Sequence, residues 1–114
     1  MIDTFDAVVS RLQRHQGVRG VMLVGMDDGT VIAGDAGASL DSDTAAALAA
    51  SLFRRTRAAA DDAGLGRATF IRLEADRGHL CATASGDVLI VAVANRNINL
   101  GKLRLDMLGA SELL

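Results

Sequence analysis

His79 and Cys81 fall on one face of a predicted strand and form the only metal-type pair in the chain. Two ligands are too few for zinc, and neither a Cys-x-x-Cys motif nor a second neighbouring His joins them. A buried thiol and an edge His is the better reading, since free Cys is commonly a core residue. Arg54-Arg55-Thr56-Arg57 is the densest run of positive charge. Such a run could supply an arginine finger or meet an acidic partner; the plainer reading is a solvated helix flank. The phosphate-binding motifs fail. Gly101-Lys102 is followed by Leu103 and lacks the upstream Gly of a P-loop. Gly64-Leu65-Gly66 lies between a helix and a strand, the reverse of a dinucleotide loop. There is no Gly-x-Ser-x-Gly elbow, and the acidic residues are scattered, with no pair placed for acid–base work. The chemistry therefore points away from an enzyme: no catalytic residue, no cofactor and no metal are expected.

The elements that would carry these residues follow from periodicity. Thr4 to Gln16 reads as a helix with Ile2, Phe5, Val8, Val9 and Leu12 on one face, Asp3 as N-cap and Gly17 as its stop. His15 at its end suits the helix dipole. Val18 to Met26 is nearly continuous apolar sequence, as in a strand covered on both faces. Asp27-Asp28-Gly29 then leads into Thr30 to Ala33, so the first two strands should be antiparallel neighbours. Gly34 to Leu40 is a small-residue loop. Arg67 to Ala75 alternates Thr69, Ile71 and Leu73 with Phe70, Arg72 and Glu74, as expected of a strand with one wetter face or at an edge. His79 to Ser85 makes a fourth strand. Val88 to Ala94 is the most apolar and should lie centrally. Asn95 or Asn97 would cap a last helix.

The longest element is Asp41 to Gly64, predicted as one helix capped by Asp41 or Ser42. Asp61 and Asp62 suit its far end badly, although Arg57 can pair with Asp61. Ala45, Leu48, Ala49, Leu52, Thr56, Ala59 and Ala63 form a stripe that needs a core. The opposite side of its first half is also apolar, through Ala46, Ala47 and Ala50, with Phe53 beside them. A helix buried on one side should carry charge opposite its stripe, so a second chain is the expected cover. Ala is also simply the best helix former, and Phe53, at the border, could instead complete the core of a single chain.

Bulk composition sets outer bounds. A chain of 114 residues, half hydrophobic, makes one domain with a real core, spanning 1–114. A formal charge of −2 and only three aromatics, all Phe, argue against nucleic acid as a partner. A single Cys makes no internal disulfide and fits a reducing compartment. The N-terminus has no signal-peptide layout, and Val88 to Ala94 is too short to span a bilayer. A cytoplasmic protein without membrane insertion is expected.

The order α-β-β-α-β-β-β-α makes a mixed α/β (α+β) domain with a largely antiparallel sheet. Two stretches then resemble a known family. Gly17 to Asp35, GVRGVMLVGMDDGTVIAGD, resembles the first hairpin of Roadblock/LC7 domains, and Asn97 to Leu108, NINLGKLRLDML, their closing helix. The resemblance covers essentially the whole chain. It implies a five-stranded antiparallel sheet with the long second helix on one face and the terminal helices on the other. It also implies dimers in which the long helices lie side by side and the third strands pair. Ala46, Ala47, Ala50, Phe53, Arg54 and Arg57 would then form the interface, flanked by Phe70 and Arg72. Family members serve as platforms for small Ras-like GTPases, some as activators of GTP hydrolysis, others as scaffolds or exchange-factor subunits; bacterial MglB-like members work beside a cytoplasmic GTPase. The resemblance implies a homodimeric, non-enzymatic regulator or scaffold that binds such a GTPase, which would bring the nucleotide. The alternative is a structural adaptor dimer that tethers other proteins. A small-molecule sensor is disfavoured by the scarcity of aromatics and buried polar handles.

Overall fold

The Asp-Asp-Gly turn and the small-residue loops divide the chain in the predicted order, but the first helix ends at Gln13 with Arg14 as its C-cap rather than running to Gln16, and the third strand begins at Phe70 rather than Arg67. The computed structural model describes residues 3–114; Ile2, assigned above to the first helix, lies outside them. The elements are α1 (Thr4–Gln13), β1 (Val18–Gly25), β2 (Val31–Asp35), α2 (Ser42–Asp62), β3 (Phe70–Ala75), β4 (Gly78–Ser85), β5 (Val88–Ala94) and α3 (Leu100–Ser111). The five strands form one antiparallel sheet in the order β2-β1-β5-β4-β3. The most apolar strand, β5, is at its centre, and β3 is an edge, as their sequences require.

The helix ends are set by side-chain caps. Asp3 accepts from the N–H of Phe5, and Asp41 from that of Thr44 at 3.2 Å. Ser42 turns back instead, its Oγ accepting from the N–H of Ala36 at 2.8 Å. The last helix is capped by Asn99, whose Oδ1 accepts from Lys102 N–H at 3.0 Å, not by Asn95 or Asn97. Those two precede a turn closed by Ile98 N–H to the Asn95 carbonyl, so the helix starts later.

Alternation along each strand sorts side chains into two layers. Val21, Leu23, Cys81, Ile90 and Ala92 pack against Val8 and Leu12 of α1 and Leu103 and Met107 of α3. Met22, Val24, Leu80, Ala82, Leu89 and Val91 pack against Ala45, Ala46, Ala49, Ala50 and Phe53 of α2. Arg11 Nε lies 2.9 Å from Asp106 Oδ1, and His15 Nδ1 lies 3.5 Å from Asp106 Oδ2, so one carboxylate ties α1 to α3. Over the other layer α2 rides very close. A Cβ on Gly29 would stand 3.0 Å from the Cα of Ala47, and the backbone there has φ +69°, so glycine is required twice over.

Candidate association surface

Small residues let a helix backbone approach a sheet whose own large side chains already fill the layer. That is why Ala46 and Ala50, with Phe53 as the one large plug, point inward: all three are fully buried within the single chain. Ala46 and Ala50 are expected on the partner-facing side, and the structure corrects this, because a side chain with no exposed surface has none to give to a partner; Phe53, at the border of the two faces, takes its other place and completes the core of the single chain. Conversely, Leu48, expected in the core, is 45% exposed, and Ala59 and Ala63 are exposed as well. Leu52 and Thr56 are half-buried.

The other expected interface residues scatter. Ala47 is exposed above Gly29. Arg54 donates to the carbonyls of Met26 at 2.6 Å and Asp27 at 3.2 Å, pinning the β1–β2 turn. Arg57 lies 4.9 Å from the centre of the Phe53 ring and reaches the Ala68 carbonyl at 3.5 Å. It therefore makes no ion pair with Asp61, and its pKa is lowered, by burial first and by neighbouring Arg67 second. Phe70 and Arg72 lie on the α1/α3 side of the sheet, opposite α2. Arg104 stands 5.6 Å over the Phe70 ring, and Arg72 lies 3.8 Å from Glu74. The eight residues thus form no single surface.

What α2 leaves uncovered is the strip of sheet beside it. The helix packs over β1, β2, β4 and β5 and barely meets β3. Ile71, Leu73 and Ala75 face its side of the sheet, paired with Ala82, Leu80 and Gly78 of β4. Between them and the helix runs a groove of about 300 Å³, walled by Leu40, Leu48, Leu73 and Leu80, with Arg19, Arg77 and Asp41 at its rim. Arg19 donates to the Arg77 carbonyl at 3.3 Å and to Ser39 Oγ, which holds it at the rim. The outer edge of β3 has no partner strand among the described residues. An apolar groove beside an open edge is a surface for association. Spacing alone sets Leu48 and Leu52, the only two Leu within the helix, on one side and Ile71 and Leu73 on one strand face, but it does not say that this side is open.

His79 is buried rather than at an edge, because β4 lies between β5 and β3. Its Nε2 is 3.1 Å from the Arg96 carbonyl, which can only accept, so Nε2 carries the proton. Nδ1 is buried without a partner among the described residues. Cys81 is fully buried, and burial pushes its thiol up to about 11, which makes it a poor nucleophile. Among the described residues no three His, Cys, Asp or Glu stand together as metal ligands. No described helix is long and apolar enough to cross a membrane.

The architecture and the sequence agree with known proteins. An uncharacterized protein of Methanocaldococcus jannaschii is 30% identical over 107 residues, which cover 94% of this chain and 93% of that protein. The gliding protein MglB of Thermus thermophilus superimposes with a TM-score of 0.84 at 27% identity, over 100% of this chain and 90% of that one. An MglB in a tetrameric arrangement gives 0.83 at 27% identity, over 98% and 88% of the two chains. The profile of the Roadblock/LC7 domain matches residues 4–95. With three helices around a five-stranded antiparallel sheet in the matching order, the chain belongs to the Roadblock/LC7 domain family.

Proposed function

We propose that this chain is a homodimeric regulator or scaffold for a small Ras-like GTPase and has no catalytic site of its own. The observation that carries the reading is the uncovered Leu40–Leu48–Leu73 groove beside the open edge of β3. A second copy would bury both at once. Two helix flanks and two strand edges would bury on the order of 1,000 Å², the scale of a stable interface. The likeness to MglB supports the GTPase as partner. The mechanism is positional: paired helices offer a rigid surface to the mobile switch loops, and the GTPase uses its own catalytic groups. Of the Arg54–Arg57 run, Arg54 and Arg57 are occupied within the chain, which leaves Arg55 exposed for an acidic partner.

The test is retention of partners. Tagged protein is incubated with extract of its source organism, with a non-hydrolysable GTP analogue or with GDP, and the bound proteins are identified. A small GTPase retained mainly in one nucleotide state is the expected result, since a binder biases only the state it prefers. Retention of other proteins in both conditions, with no GTPase from an extract that contains them, would replace this reading with a structural adaptor.

A further inference from the structure

Leu65 is 82% exposed, the most exposed large apolar residue described. It sits between Gly64 and Gly66, both with positive φ (+76° and +84°), and a Cβ at either would meet nothing within 4 Å. Four and three residues earlier stand Asp61 and Asp62, exposed and without ion-pair partners among the described residues. At the C-terminus of α2 these two carboxylates oppose the helix dipole, so the single chain gains nothing from them. One isolated exposed Leu needs no explanation. A Leu held out on a two-glycine turn behind two unpaired acids has a counterpart elsewhere in the fold.

That counterpart is the groove at the other end of the same helix. Its walls are Leu40, Leu48 and Leu73, and its rim carries Arg19 and Arg77, neither of which has an ion-pair partner among the described residues, beside Asp41, whose carboxylate accepts from Thr44 N–H as the cap of α2. We propose that Leu65 of one copy seats in the Leu40–Leu48–Leu73 groove of a second copy, with Asp61 and Asp62 against Arg19 and Arg77, reciprocally about a two-fold axis. This rests on the dimer in the reading above and specifies how the two copies lock.

The geometry requires a second copy. α2 has 21 residues and is about 31 Å long at 1.5 Å per residue, so a chain's own Leu65 is far from its own groove. Two antiparallel α2 helices bring each knob to the other's groove. Antiparallel pairing of the open β3 edges has the same effect, because it sets the start of one β3 beside the end of the other. The 63–69 loop leads directly into that start, and Leu73 and Ala75 at the other end line the groove. Both knobs and both grooves are filled in one closed pair, whereas a head-to-tail arrangement would leave one of each free and propagate.

Sedimentation across a concentration series compares wild type with Leu65→Asp. Leu65 touches no core, so the variant keeps its fold, checked by circular dichroism. The expected result is a dimer weakened about 100-fold, roughly tenfold for each of two lost knobs. In a second experiment, Leu65→Cys and Leu40→Cys proteins are mixed and mildly oxidised; the mixture forms a disulfide-linked pair, and neither protein does so alone. The buried Cys81 thiol does not compete. A wild-type dimer that Leu65→Asp leaves unchanged, or a mixture that fails to cross-link, overturns the knob while the dimer stands. A wild type monomeric at every concentration overturns the dimer and the knob with it.

Discussion

On one side of the sheet two helices close the layer; on the other a single helix stops short of β3. The α1/α3 side is filled by Val8, Leu12, Leu103 and Met107 and is tied across by Asp106. The α2 side is filled mostly by the sheet's own Met22, Val24, Leu89 and Val91, over which the alanines lie close. The first layer is sealed by large helix side chains, the second by a close backbone. Close approach narrows the strip that a helix can cover, and the uncovered strip is where Leu48 and Leu73 stand 45% and 38% exposed. Association is therefore expected on the side with the smaller helix residues, but through its larger ones.

Substitutions can break or sharpen that contrast. The largest effect is expected from Ala50→Glu, which forces a carboxylate into a fully buried position. An unpaired buried charge costs several kcal/mol, enough to unfold a domain of this size. Loss of the cooperative thermal transition is the outcome. A folded, merely monomeric variant would return Ala50 to the partner side. Next, Leu103→Ala on the sealed side should cost about 2–5 kcal/mol in urea denaturation, with no dependence on protein concentration.

The third effect concerns pH. Cys81 keeps its proton when folded, at about 11, against an ordinary value of 9.0. Its contribution to stability is full below pH 9 and declines as pH rises from 9 toward 11, because only the unfolded chain ionises in that window. Alkylation at pH 8 should be slow in native protein and fast in urea; equal rates would mean that the α1/α3 layer is open. The smallest effect on the single chain is expected from Leu48→Glu, within about 0.5 kcal/mol, yet it should shift the dimer equilibrium strongly in sedimentation. An unchanged association constant would move the interface off this groove.

The pairing of the first two strands and the edge place of β3 were legible because the Asp-Asp-Gly turn and the alternation in Thr69 to Glu74 are local signals, whereas the joining of β1 to β5 is long-range and was not. The central place of Val88 to Ala94 was legible because a strand without polar residues must be covered on both faces. The orientation of α2 was not. Alanine at Ala45, Ala46, Ala47, Ala49 and Ala50 gives every side nearly the same hydrophobicity, so periodicity had little to act on. The rotation of the helix is set instead by the height of the sheet residues beneath it and by the clearance at Gly29, both tertiary. Phe70 and Arg72 were expected beside α2 although alternation sets them opposite Ile71 and Leu73. The Asn99 cap was hidden among three nearby asparagines, and only the turn at Asn95–Ile98 selects it.

The pairing of β1 with β5 has a kinetic consequence. The β1–β2 hairpin and the β3–β4–β5 meander are each made of neighbours in sequence and can form early. They join only when Leu23 meets Ile90 along the β1–β5 seam, and closing that seam means looping out β2, α2, β3 and β4 first. The slow step of folding is therefore expected to be the docking of two early-formed halves, with α2, which bridges β1 and β2 to β4 and β5, as the strap across them.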